Sequence, residues 1–204
     1  KYQMDIDPIL LEKNEITEEA LSEFLNTITK YTYWDHQLDA IHKAIKNNRL
    51  LLLSPTSSGK SLIQYSLLRY YDVKSLVIVP KINLVNQLKT DFQDYAKGTD
   101  WIADEHCHEI YSGKEKVSDK KFVISTWQSL HNMPKEYFDQ FKLVLVDETH
   151  HAKSMAIKNI LEKMTETKYR FGVTGTLSGM QTDLMVVTGL LGKAYTVTTT
   201  EKLQ

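Results

Sequence analysis

The chain has 204 residues, 42% hydrophobic and 25% charged, a composition that suits one well-cored globular domain plus an extension. A formal net charge of −1 excludes a globally basic nucleic-acid binder, so any such contact must come from a local basic face. The single cysteine, Cys107, excludes an intrachain disulfide and fits a reducing compartment, and no apolar run approaches the roughly 18 residues of a membrane span.

In chain order, Thr17 can cap a helix whose apolar positions Ala20, Leu21, Phe24, Leu25 and Ile28 form one stripe. That helix packs either on the main domain or on a neighbour outside the chain. The chain divides near Lys30, which makes residues 1–30 a helical extension or linker. From Tyr31 onward strands and helices alternate. Asp35 can cap a helix carrying Leu38, Ile41 and Ile45, and Leu50 to Leu53 is a continuous apolar strand. A helix over Ser61 to Tyr71 leads to a strand over Ser75 to Val79, then a helix over Leu84 to Tyr95. Further strands are expected over His108 to Tyr111, Phe122 to Ser125, Leu143 to Val146 and Tyr169 to Val173. Helices are expected over Ala156 to Met164 and Thr182 to Leu190. Strands apolar on both faces and separated by helices imply an α/β fold, a mainly parallel sheet covered on both sides. Such a sheet binds ligands at the carboxyl ends of its strands.

Two of those ends carry polar motifs. Ser54 to Ser61 reads SPTSSGKS between a strand and a helix, the context of the phosphate loop G-x-x-x-x-G-K-[ST]. Gly59, Lys60 and Ser61 match, while Ser54 replaces the first glycine. Backbone N–H groups from about Ser57 to Ser61 would surround phosphates at a helix N-terminus, with Thr56 and Ser58 completing the loop. Lys60 would reach the β- and γ-phosphates and Ser61 would bind Mg²⁺. Lys142 to His150 reads KLVLVDETH, so four apolar residues deliver Asp147 to a strand end, where a carboxylate can hold Mg²⁺. Glu148 is placed to orient or deprotonate a water. A strand-end turn also accounts for a lone Asp-Glu pair; its co-occurrence with the phosphate loop favours a site for ATP and Mg²⁺.

In this order the motifs resemble the first RecA-like motor domain of superfamily 2 helicases, in the DExH group. Gln37, within YWDHQLDAI, resembles the adenine-recognising glutamine, although Trp34 stands three residues before it and the arginine often found nearby is absent. SPTSSGKS resembles motif I, Val79 to Gln87 motif Ia, and Tyr111 to Lys114 a motif Ib segment. Ser125 to Leu130 resembles the following strand-contacting motif, Asp147 to His150 motif II, and Val173 to Leu177 motif III. WxxQ, PTSxGKSLIQ, STWQ followed by PKEYFDQF, and the closing VTTTEKL extend the likeness to the UvsW family of phage recombination helicases.

The resemblance implies a RecA-like P-loop fold over residues 31–204 and an ATP-dependent helicase that remodels single-stranded or branched DNA and RNA–DNA hybrids. An RNA helicase or a duplex-DNA translocase is the alternative, with this chain alone acting only as a nucleotide-dependent nucleic-acid binding module. It further implies nucleic-acid contacts at Pro80, Lys81, Gly113, Thr126 and Gln128, coupling through Thr174 and Thr176, and a γ-phosphate role for His150. Lys81 and Lys114 serve equally well as solvated surface lysines, and Trp127 either stacks on a base or packs in the core. His106 and His108 would share one face of an extended segment with Cys107 opposed, and no second cluster has a zinc spacing, so a metal is not expected there. After Leu177 no second motor domain is legible, and none of Arg49, Arg69 and Arg170 lies in an arginine-finger motif. The chain opens on Lys1, not Met, so it is expected to be an excised piece. On its own it is expected to bind nucleotide weakly and hydrolyse it slowly. A small DNA-binding domain preceding Lys1 and a host-cytoplasmic location complete the expectations.

Overall fold

The computed structural model describes residues 14–111, 113–147, 154–175 and 188–199. The apolar runs form strands β1 (Arg49–Leu53), β2 (Ser75–Val79), β3 (Cys107–Ile110), β4 (Phe122–Thr126), β5 (Leu143–Asp147) and β6 (Tyr169–Thr174), each within one residue of its expected bounds. A seventh, β7 (Ala194–Thr196), was not expected, because three residues are too few to display a pattern. The order is β3-β4-β2-β5-β6-β1-β7, and every pairing among the described residues is parallel.

Alternation along each strand divides the core into two halves. Leu50, Leu52, Val77, Val79, Leu143 and Leu145 face one cluster; Leu51, Leu76, Ile78, Val144 and Val146 face the other. The first cluster is closed by α1 (Glu18–Ile28), α2 (Asp35–Asn47), α3 (Lys60–Tyr71), α4 (Ile82–Tyr95) and the short α5 (Ala103–His106). The second is closed by α6 (Trp127–Leu130), α7 (Lys135–Phe138) and α8 (Ser154–Lys163). Each fully buried aliphatic side chain contributes about 1.5–3 kcal/mol, so the two layers hold the sheet between them.

Thr17 caps α1 as its sequence suggests, its Oγ1 accepting from Ala20 N–H at 3.2 Å. Leu21, Leu25 and Ile28 sink into the first cluster, and Tyr65 Oη donates to Ile28 O at 2.9 Å, so α1 packs on the same core as the sheet. The expected cap of α2 shifts by one residue: Trp34 is the N-cap and Asp35 opens the helix. Gln37 Oε1 accepts from Trp34 N–H at 3.0 Å, and that bond fixes the start. Most of the helix expected over Thr182 to Leu190 falls outside the described residues, although residues 188–191 are helical. Among the described residues no helix is long and apolar enough to cross a membrane.

Candidate nucleotide and nucleic-acid site

The strand order sorts the motifs. β5, β6 and β1 are neighbours, and their carboxyl ends carry Asp147, Thr174 and Ser54. β3, β4 and β2 form the other side, ending beside Gly113, Thr126 and Pro80.

The phosphate loop leaves β1 tied to its neighbour, for Ser54 N–H donates to Thr174 O at 2.8 Å. Ser54 is fully buried and its Oγ lies 2.5 Å from Ser58 Oγ; Ser58 Oγ in turn donates to Pro55 O at 2.6 Å. Ser58 has one hydroxyl proton and spends it on Pro55, so Ser54 is the donor to Ser58. The serine in place of the first glycine therefore braces the loop from within. Ser57 and Gly59 both adopt left-handed φ values, 67° and 76°, which turn the chain so that α3 starts at Lys60. The N-terminus of that helix, with its dipole, favours an anion there. Gly175 follows β6 so closely that a Cβ on it would stand 3.7 Å from Lys60 Nζ, which brings the motif III segment beside the lysine.

A cleft of about 510 Å³ opens at this edge, lined by Thr56, Ser57, Gly59, Lys60, Ser61, Asp147, Pro80 and Lys81 among others. Two further wall residues, Gln64 and Asp91, were not singled out in the sequence. Gln64 Nε2 donates to Asp147 Oδ1 at 2.9 Å. Ser61 Oγ lies 2.7 Å from Tyr95 Oη, and burial pushes the Asp91 carboxyl up from its usual range, partly offset by a hydrogen bond from Ser61. The signal for Asp91 and Tyr95 was the i, i+4 spacing of Gln87, Asp91 and Tyr95, which puts them on one face of α4. Ser61 and Asp147 supply the hard oxygen donors that Mg²⁺ takes, and Gln64 Oε1, buried without a hydrogen-bond partner among the described residues, belongs to the same cleft wall. No group of three or more His, Cys, Asp or Glu suited to a metal exists among the described residues, whereas Mg²⁺ uses one or two protein oxygens completed by phosphates and water.

Gln37 is buried behind the loop. Its Nε2 donates to Ser58 O at 3.0 Å, and His36 Nε2 donates to the same carbonyl at 3.2 Å. One amide hydrogen and one lone pair of Gln37 take no part in these bonds. Trp34 stands 53% exposed beside it, its ring 5.3 Å from that of His36.

Of the residues expected to touch nucleic acid, Pro80 and Lys81 line the same cleft as Lys60 and Asp147. Gly113 and Gln128 are exposed, whereas Thr126 is buried with its Oγ1 3.1 Å from Ser129 Oγ. Trp127 is half-buried against the second cluster, with His131 at its edge. Glu148, His150 and Thr176 lie outside the described residues. At β3, Cys107 is buried and burial pushes its thiol up to about 12, His106 stacks on Trp101, and His108 Nε2 donates to Glu115 O.

The family described as Type III restriction enzyme, res subunit, matches residues 10–179. The ATP-dependent DNA helicase uvsW of Enterobacteria phage T4 is 33% identical over 217 residues, covering 99% of this chain and 42% of that protein. The DNA 3'-5' translocase XPB2 of Sulfurisphaera tokodaii is 27% identical, covering 86% of this chain and 38% of that protein. The chain thus spans less than half the length of these relatives. The crystal structure of the UvsW helicase from bacteriophage T4 superposes with a TM-score of 0.84 at 32% identity, covering 96% of this chain and 73% of that one. A hypothetical ATP-dependent RNA helicase from Sulfolobus tokodaii shares the fold with a TM-score of 0.66 at 19% identity, over 88% of this chain and 57% of that one. The chain therefore belongs to the family of the type III restriction enzyme res subunit, and is a RecA-like helicase motor domain.

Proposed function

We propose that this domain binds and hydrolyses ATP with Mg²⁺ for a protein that unwinds or branch-migrates DNA. The observation that carries the reading is the convergence of Lys60, Ser61 and Asp147 on one cleft at the carboxyl edge of a parallel sheet. In this reading Lys60 and the first-turn N–H groups of α3 hold the β- and γ-phosphates. Ser61 and Asp147 hold the cation, which when bound neutralises charge developing on the phosphates. Glu148, next in the chain, orients the attacking water, and His150, Thr174 and Thr176 pass the nucleotide state onward. Gln37 holds the loop through Ser58 and presents its remaining hydrogen-bonding positions to adenine.

Exposed Gly113 and Gln128 carry a track for a sugar–phosphate backbone across the β2, β4 and β3 ends, with Pro80 and Lys81 at its cleft edge and Thr126 buried beneath it, a mode that ignores sequence. Residues 31–204 form the motor unit, residues 1–30 are a helical extension whose α1 packs on it, and a second RecA-like domain completes the ATP site from across the cleft. The phage relative, named an ATP-dependent DNA helicase, supports DNA as the substrate, with single-stranded or branched DNA the proposed forms and the host cytoplasm the proposed place of action.

The test is nucleotide binding by this chain, and ATP turnover by the full-length protein with single-stranded, forked and duplex DNA and RNA, with Lys60→Ala as control. Stimulation by forked or single-stranded DNA, abolished in Lys60→Ala, is expected. Stimulation by duplex without unwinding would move the assignment to a translocase, the activity that the XPB2 relative carries in its name. Stimulation by RNA alone would make it an RNA helicase, and no nucleic-acid-dependent turnover would sink the motor reading.

A further inference from the structure

Gln64 sits one turn into α3, three residues after Ser61. Its side chain is 1% exposed yet forms part of the cleft wall. One end of its amide is committed, since Nε2 donates to Asp147 Oδ1 at 2.9 Å. The other end, Oε1, is buried with no hydrogen-bond partner among the described residues. The amide cannot turn over to improve matters. An ionised carboxylate only accepts, so the reversed amide would press Oε1 against Oδ1. An apolar side chain of the same length would avoid the cost of an unpaired buried oxygen. The glutamine is therefore poorly explained by packing, and its spare oxygen is an acceptor beside the two candidate cation ligands.

We propose that Gln64 is a positioning residue for the cation. Its N–H fixes the rotation of the Asp147 carboxylate, and its Oε1 would accept a hydrogen bond from a water held by the cation. Mg²⁺ keeps several waters when bound by few protein ligands, and those waters are strong donors that need acceptors. A carbonyl oxygen meets that need without adding a charge. Ser61 is braced in a comparable way from α4, where Tyr95 and Asp91 meet its hydroxyl. Both candidate ligands are thus met by neighbouring side chains, the arrangement by which outer partners tune metal affinity.

The inference rests on the nucleotide reading above, and the experiment separates the two. Gln64→Met keeps length and volume but removes both hydrogen bonds. Affinity for a fluorescent ATP analogue is measured in EDTA and in Mg²⁺, Mn²⁺ binding to the nucleotide complex is followed by electron paramagnetic resonance, and thermal stability is recorded alongside. Binding in EDTA is expected to match wild type, while Mn²⁺ affinity falls about 10-fold or more, the usual effect of losing an outer partner. Thermal stability should hold or rise, because an unpaired buried oxygen is gone. Unchanged Mn²⁺ affinity would overturn the proposal. So would a loss of cation binding that merely follows a loss of stability. Gln64→Leu is measured in parallel, and unfolding of both variants would make the residue structural and end the proposal. Failure of the wild-type chain to bind the analogue under any condition would instead remove the nucleotide reading beneath it.

Discussion

Gly59 meets two demands that no other residue type satisfies together. Its φ of 76° lies in the left-handed region, and a Cβ there would come 2.0 Å from Gln37 Nε2. That nitrogen is not a loose end, because it donates to Ser58 O within the same loop. Gly59→Ala would combine backbone strain of about 1–3 kcal/mol with displacement of the Gln37 contact. The expected outcome is a drop of that size in the unfolding free energy and a loss of about tenfold or more in ATP affinity, read by denaturant titration and nucleotide fluorescence. Normal affinity in a destabilised variant would show that the loop tolerates a displaced Gln37. Ser54 illustrates the opposite case. The phosphate-loop pattern asks for glycine there, and the chain supplies a buried serine whose hydroxyl bonds to Ser58.

Arg170 joins two elements that lead into or out of the site. It is buried on β6, four residues before Thr174, and its guanidinium donates to the carbonyls of Leu161, Met164 and Thr167 at and beyond the end of α8. A helix end leaves carbonyls unpaired, and a planar cation with five donors satisfies several at once while complementing the dipole. Arg170→Leu is expected to lower the unfolding free energy by about 2–4 kcal/mol, through the orphaned carbonyls, in urea titrations. Arg170→Lys should recover only part of it, since an ammonium lacks the fork. A full recovery would mean that charge, not geometry, holds the joint. At this scale the sequence was most legible where runs were long: the six main strands and the helices of α1 to α4 follow from apolar pattern and turn residues. It was least legible in the four-residue helices α5, α6 and α7 and in β7, which are shorter than the periods that reveal them. The site divides the same way. Lys60, Ser61 and Asp147 announce themselves by motif, whereas Gln64 and Asp91 gain their roles only when α3 and α4 fold against the strand ends.

For the molecule as a whole, the arginines decide what the domain can do by itself. There are three, and all lie among the described residues. Arg170 is buried behind the sheet face, Arg69 stacks over Tyr65 and Trp101, and Arg49 Nε donates to Lys168 O at 3.5 Å; none lines the cleft. Phosphoryl transfer in related NTPases draws about 10³–10⁵ in rate from an arginine at the transferring phosphate. On the proposed function, a chain whose arginines are all held elsewhere would obtain that cation from another surface closing over Lys60 and Asp147. Residues 1–204 alone are therefore expected to bind ATP in a Lys60-dependent manner yet turn it over about 10³-fold or more slowly than the full-length protein with DNA, measured by phosphate release. Mutating Arg49 or Arg69 should leave that slow rate unchanged. Rapid turnover by the isolated chain at low concentration, where no second copy can close the cleft, would show that the lysines suffice. The division between ATP binding here and catalytic completion elsewhere would then be wrong.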